Sequence, residues 1–236
     1  MQYLTVYWYL NTMGKEPTYG SSLHYFDESG ESYLAWQNQF GALAGQLDAK
    51  KFANFINSEK VICDFGAGAG NLLDSLKASR KIAIEINPTA LAILKTKPDI
   101  EALESIDHLA TESVDVVITN HAMEHVPYPV GAMKEIHRVL RPGGLFIICV
   151  PIDDWRTQKR YQESDINHHL HTWTPLLLGH SLKEAGFRVR EQQIQIISEA
   201  WFPSWHYFVR VPFFGLLCRI YSVVSRRRQI LAFVSK

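Results

Sequence analysis

The sequence is short of cysteine, of net charge and of long apolar runs, and each shortage removes a class of protein. Cys63, Cys149 and Cys218 are the only cysteines in 236 residues. They are odd in number and far apart, and the first two sit inside apolar runs, which excludes a disulfide framework and points to a reducing compartment. The 24 basic residues balance 24 acidic ones, so no global field draws the chain to nucleic acid or anionic lipid. Met1 to Leu10 lacks the basic start and small-residue cleavage site of a signal peptide. The most apolar stretch, Trp201 to Val224, is interrupted by Pro203, Arg210, Pro212 and Arg219 before about 18 apolar residues accumulate, which argues against a spanning helix. The cytoplasm is the expected location, and nucleic acid is not an expected partner.

What remains is a chain that is 47% hydrophobic and 20% charged, without internal repeats or a low-complexity linker, as expected of one domain with its own core. Apolar residues from Glu31 to Phe55 recur at helical spacing, weakened at Gly41 and Gly45, and predict two helices joined near Asp48. Short apolar runs then alternate with helical patterns. Strands are expected at Val61 to Cys63, Lys81 to Ile86, Ile100 to Leu103, Val114 to Thr119 and Leu145 to Val150. Helices are expected at Asn71 to Ala78, Pro88 to Lys95 and Val130 to Leu140, with a turn at Arg141-Pro142-Gly143-Gly144. Continuous hydrophobic strands separated by helices predict an α/β fold with a parallel sheet covered on both faces. Beyond it come a helix from Pro175 to Ala185 stopped by Gly186, a long strand from Phe187 to Ile197 and a last one from Gln229 to Val234.

In an open parallel sheet the ligand crevice lies beyond the carboxyl ends of the strands, and the first strand-to-helix turn lines it. Here that turn is Asp64-Phe65-Gly66-Ala67-Gly68-Ala69-Gly70. A dinucleotide fingerprint, G-x-G-x-x-G, would need glycine where Asn71 or Leu73 stands. An acid before the turn suits a cationic, amino-acid-bearing ligand better than a pyrophosphate. Glu85 ends the second strand, where a carboxylate can accept hydrogen bonds from ribose hydroxyls. A glycine turn that only packs helix on strand is the bland alternative, and Asp64 and Glu85 in register weigh against it.

Residues 61 to 151 resemble the core of class I S-adenosylmethionine-dependent methyltransferases, in the large methyltransferase type 11-like group. The resemblance is carried by Asp64 to Gly70, Glu85, Val114-Asp115-Val116-Val117-Ile118, Glu124-His125-Val126 and Arg138-Val139-Leu140-Arg141-Pro142-Gly143-Gly144. His171-Thr172-Trp173-Thr174-Pro175 and Leu182-Lys183-Glu184-Ala185-Gly186-Phe187 resemble the helix and sixth strand that follow that core. It implies a Rossmann-like, doubly wound sheet of seven strands with the last one antiparallel beside strand five, preceded by a helical cap and followed by a substrate-side half. It also implies S-adenosylmethionine as cofactor. Backbone around Gly66, Ala67, Gly68 and Gly70 would contact the methionine part with Asp64 nearby, Glu85 and Ile86 would hold the ribose, and Glu104 would face the adenine. Asn120 and His121, after strand four, would line the crevice.

Methyl transfer is an in-line displacement that demands alignment more than a fixed catalytic residue. An oxygen nucleophile would profit from a base titrating near neutrality. The candidates are His125, His168 and His171, with His121, His169, Asp165 and Asn167 in the same polar company. His121-Ala122-Met123-Glu124-His125 matches the H-x-x-E-H zinc pattern in letters only, because Pro127 and Pro129 leave no continuous helix to carry it. Asp165, His168, His169 and His171 offer metal ligation as an alternative, but a ligand set this close in sequence is more often a hydrogen-bonded loop. No metal is expected.

The acceptor is expected to be a small molecule, a hydroxyl on a sugar or metabolite, and the protein a monomer or homodimer. The absence of an N-P-P-Y-like turn after strand four speaks against nucleic-acid methylation. The competing readings are a nicotinamide-dependent oxidoreductase or epimerase and a non-catalytic cofactor-binding partner protein. Between strands six and seven, the aromatic insert from Trp201 to Val224, followed by Arg226-Arg227-Arg228, is a packed flap, a lid, a dimer surface or a membrane contact. Tyr25, Phe26, Tyr33 and Trp36 either close the crevice or are ordinary packing.

Overall fold

The computed structural model describes residues 19–26, 28–38, 41–152, 159–163, 165, 167–198 and 213–236. Its seven strands are β1 (Val61–Phe65), β2 (Arg80–Ile84), β3 (Ile100–Leu103), β4 (Val114–Asn120), β5 (Leu140–Pro151), β6 (Ile194–Ser198) and β7 (Arg228–Ser235). They form one sheet in the order β3-β2-β1-β4-β5-β7-β6. The first five run parallel, and β7 lies antiparallel between β5 and β6. This is the Rossmann-like, doubly wound sheet that the family resemblance implied, and its α/β alternation is the one that the hydrophobic patterns predicted. Strand order reverses between β1 and β4, which opens a crevice there.

The helices are α1 (Glu28–Asn38), α2 (Gly41–Phe52), α3 (Asn71–Asp74), α4 (Pro88–Leu94), α5 (Pro129–Val139), α6 (Pro175–Glu184) and α7 (Phe214–Val224). Their ends follow local chemistry. The Asn87 side chain caps α4 by accepting from Ala90 N–H, and Pro88 occupies the first turn. Thr174 and Pro175 do the same for α6, and Gly186, at φ 101°, lets the chain leave it. Along α5, Ala132, Met133, Ile136 and Val139 form one buried stripe against the sheet face that carries Cys63, Phe65 and Phe146. The opposite face carries Ile62, Ile118 and Ile147 and is covered by Phe52, Leu72 and Leu73. Burying a side chain of the size of Phe52 or Ile136 contributes about 1.5–3 kcal/mol.

Three expectations are corrected. The break between α1 and α2 falls before Gly41, and Asp48 lies inside α2. Gly45 serves close packing and does not interrupt the helix, since a Cβ there would sit 2.2 Å from the Asn71 carbonyl oxygen at the start of α3. The helix expected to reach Ala78 stops at Asp74. The long strand expected from Phe187 shrinks to β6, because the Gln193 side chain accepts from Arg190 N–H at 2.8 Å and closes a single turn ahead of it. Only Arg188 keeps a lone bridge, to Ser235. Arg141 to Gly144 stand within the span of β5, where the register shifts: Val114 pairs with Leu140 and Val116 with Leu145.

Residues 199–212 lie outside the described residues, and with them Trp201 to Phe208 of the aromatic insert. Its remainder includes α7, on which Leu216, Ile220, Val223 and Val224 are exposed. No helix among the described residues is long and apolar enough to cross a membrane.

Candidate active site

A cavity enclosing about 760 Å³ of empty space, its open mouth included, lies where β1, β2 and β4 end. Its floor is the glycine turn. Gly66 has φ 78° and Gly68 φ 54°, in the left-handed region that glycine enters at low cost. A Cβ on Gly66 would stand 2.3 Å from that of Ala122, so this glycine admits the turn after β4. At Gly68 the nearest obstacle is Gln37 Oε1 at 3.3 Å, and both glycines line the cavity. The turn is tied to the next strand by Gly66 and Ala67 N–H groups donating to the Ile84 carbonyl at 2.9 and 3.1 Å.

Glu85 is the anchor of this end. Its Oε2 accepts from Gly68 N–H at 2.7 Å and its Oε1 from Asn87 N–H at 2.8 Å. Burial pushes the carboxyl above the usual range, and those backbone donors pull it back part of the way. Asp64 is 2% exposed, and its Oδ1 has no hydrogen-bond partner among the described residues. Burial, and then the Glu85 and Asp48 charges, raise its pKa to about 8.

The roof comes from residues ahead of β1. Tyr19, Tyr25, Tyr33 and Gln37 line the cavity. Phe26 is not among the lining residues, and the Trp36 side chain lies outside the described residues. The far wall follows β4. His121 stands at φ 54°, and its Nε2 donates to Gln229 Oε1 at 2.8 Å. His125 is packed edge-on against Tyr25, with ring centroids 5.5 Å apart. Burial, followed by the Lys51 charge, lowers the His121 pKa to about 4. Burial, followed by the His169 charge, lowers that of His125 to about 3. Neither imidazole meets the expectation of a base titrating near neutrality in the empty protein.

The sequence candidates thus divide. Gly66, Gly68, Glu85, Ile86, His121 and His125 share the cavity wall. The others are absent from it. Asp64 lies beneath the turn, Ala67 packs on the sheet side, and Gly70 sets the start of α3 at φ 79°. Glu104 reaches towards Lys95 Nζ at 4.0 Å. Asn120 is drawn away by Lys51, whose Nζ donates to its Oδ1 at 2.6 Å. His168 stacks on His24 at 4.4 Å, and His171 Nε2 donates to the Pro127 carbonyl at 3.3 Å. Neither of these two histidines has its ring in the cavity, because backbone and aromatic partners hold them outside.

Sequence reasoning missed the network behind His121. Lys51 also pairs with Asp48 at 2.8 Å, Asn120 Nδ2 donates to Asp48 Oδ2 at 3.0 Å, and Gln229 accepts from Lys51 and Cys149 as well as from His121. Burial works against the Lys51 charge, but Cys149 and Asp48 hold its pKa above the ordinary value. Nothing local announces this network: an acid and a lysine three apart on a helix read as a solvated surface pair.

With this geometry in view, the comparisons with known proteins agree. A family described as a methyltransferase domain matches residues 36–192, and the chain belongs to that family. Its enzymes are S-adenosylmethionine-dependent methyltransferases, and S-adenosylmethionine is the cofactor of the class. A Mycobacterium ulcerans protein named as a phthiotriol/phenolphthiotriol dimycocerosates methyltransferase is 31% identical over 108 residues, which is 41% of this chain and 42% of that protein. A malonyl-[acyl-carrier protein] O-methyltransferase of Dechloromonas aromatica is 27% identical over 47% of this chain and 42% of its own. The chain therefore spans about two fifths of the curated relatives it matches. A solved S-adenosylmethionine-dependent methyltransferase from Thermotoga maritima, 21% identical, superposes with a TM-score of 0.60 over 78% of this chain and 88% of its own. That likeness bears on the fold.

Proposed function

We propose that this chain, acting as one domain over residues 1–236, transfers methyl from S-adenosylmethionine to a hydroxyl of a small-molecule acceptor such as a sugar or metabolite. The observation that carries the reading is Glu85, seated between the Gly68 and Asn87 N–H groups at the cavity floor. Each carboxylate oxygen keeps a lone pair for a ribose hydroxyl. Gly66 and Gly68 leave the turn without Cβ atoms on the cavity side. When bound, the cofactor supplies an electrophilic methyl group on a sulfonium sulfur. The roof of Tyr25 and Tyr33 excludes water, and His121 and His125 face the acceptor end and orient the acceptor's oxygen. The three scattered thiols support a cytoplasmic location. The neutral charge balance supports a partner other than nucleic acid, and a monomer or homodimer remains our expectation.

A second reading keeps the chemistry and changes the acceptor to an acyl or lipid-linked molecule. The exposed apolar face of α7, with Leu216, Ile220, Val223 and Val224, favours it, as do the acceptors in the names of the two curated relatives.

Calorimetric titration with S-adenosylhomocysteine and with NAD tests the shared core of both readings. Binding of adenosylhomocysteine at micromolar levels is expected, and NAD binding without it would sink them. Transfer of labelled methyl to a panel of sugars, hydroxylated metabolites and acylated lipids then separates the two acceptors.

A further inference from the structure

Three side chains at the acceptor end converge in a way the methyl donor does not require. Glu124 is fully buried, His125 is nearly so, and His169 enters from the loop between β5 and α6. One ligand atom from each lies within 4.8 Å of the others. The loop is pinned there, because the Glu124 carbonyl accepts from both Leu170 and His171 N–H groups, at 2.9 and 3.1 Å.

The hydrogen bonds around the imidazoles fix which nitrogen each presents. His125 Nδ1 lies 3.5 Å from the His168 carbonyl, an acceptor only, which leaves Nε2 as the lone-pair nitrogen, 3.8 Å from Glu124 Oε1. His121 donates through Nε2 to Gln229 Oε1, which leaves its Nδ1 facing the same carboxylate oxygen at 3.9 Å. Both separations are too long for a hydrogen bond. They are close to the roughly 3.3 Å between neighbouring ligands of a tetrahedral ion with bonds of about 2.0–2.2 Å. Tying the second ring nitrogen to a carbonyl is how metal-ligating histidines are held in orientation.

We propose that Glu124, His125 and His169 bind a divalent transition metal of the zinc type, with the His121 ring beside the site. Two imidazoles and one carboxylate form a donor set suited to such an ion rather than to Mg²⁺ or Ca²⁺, which prefer all-oxygen ligation. The H-x-x-E-H letters therefore mark a site by another route: no helix holds the pair, and the third ligand comes from the loop that sequence reading took as hydrogen-bonded filler. His125 and His121 also line the cavity, so the open coordination position faces the acceptor. Resting on the methyl-transfer reading, Glu124, His125 and His169 would hold the ion, which would supply Lewis acidity to an acceptor hydroxyl; its proton would leave to solvent, and the oxygen would bond the methyl carbon as the C–S bond breaks with its electron pair left on sulfur.

The test is equilibrium dialysis of chelator-stripped full chain against ZnCl₂, repeated with CoCl₂ for its visible spectrum. One equivalent per chain with a tetrahedral cobalt spectrum is expected. His169→Ala and the isosteric Glu124→Gln should each weaken uptake at least tenfold, while His108→Ala, at an exposed histidine elsewhere, should not change it. Adenosylhomocysteine titration of each variant reports an intact fold, and it should stay within threefold for His169→Ala. No saturable uptake, or uptake undiminished in His169→Ala, overturns the proposal and leaves an adventitious ion only. Because metal and adenosylhomocysteine are read separately, loss of one reading does not imply loss of the other.

Discussion

The two ends of the cavity are built on different plans. The cofactor end is made by neighbours in sequence: the turn from Gly66 to Gly70 hydrogen-bonds to Ile84, and Glu85 hydrogen-bonds back to Gly68 and forward to Asn87. The end that we assign to the acceptor gathers Tyr25, Tyr33, His121 and His125 from three separate stretches of chain, with His169 edge-on behind His125 and its loop held by the Glu124 carbonyl. One end is shaped by backbone that a few glycines encode. The other is shaped by side chains that only the folded chain assembles.

The comparison breaks most visibly at Gly66. Gly66→Val adds a Cβ against Ala122 at a positive φ, and should cost about 3 kcal/mol or more in denaturant unfolding and abolish adenosylhomocysteine binding. If binding survives, the turn is not the rigid floor described here.

Asp64 tests the cofactor end through pH. Its ordinary pKa is near 4 and its folded value about 8. Below about pH 4 both folded and unfolded chains hold the proton. As pH rises from there, the unfolded chain releases it while the folded chain retains it, so stability falls until about pH 8, where the folded form ionises too. Asp64→Asn should flatten that fall, which for a shift of this size is on the order of 5 kcal/mol, read as the change of melting temperature with pH. An unaltered profile would mean that this carboxyl is already ionised in the fold.

Glu85→Gln should weaken adenosylhomocysteine binding 10- to 100-fold and cost about 1–3 kcal/mol of stability, because its NH2 would face the Gly68 or Asn87 N–H. A reversed order, a folding defect with normal affinity, would make Glu85 a clasp for the turn and nothing more. The smallest effect is expected at His168→Ala. Its ring lies outside the cavity on His24, so single-turnover methyl transfer should stay within about threefold of the parent. A hundredfold loss would restore it as a base and redraw the acceptor end.

Much of the cavity floor was legible in the residues. Gly66, Gly68 and Glu85 lie at fixed offsets from strand ends and line the cavity, and strand ends are readable from apolar runs bounded by turn residues. Ile86 followed for the same reason. Glu104 did not reach the cavity, because an offset counted past a short strand such as β3 cannot say which way the chain turns. Asn120, expected just after β4, is its last residue, and its side chain is claimed by Lys51. The His168 and His171 rings point elsewhere because their partners, His24 and the Pro127 carbonyl, are remote in sequence. The break near Asp48 was misjudged through Gly45, whose role is a close approach to Asn71 that no helical propensity registers.

By itself the sequence determined the α/β alternation, the place of the crevice and the glycine turn that floors it, since hydrophobic period and glycine positions act over a few residues. Tertiary structure alone decided which histidines face the cavity, that Lys51, Asp48 and Gln229 stand behind His121, and that His169 meets Glu124 and His125. Those contacts join residues far apart along the chain, and their geometry depends on how helices and loops pack, which no local pattern encodes.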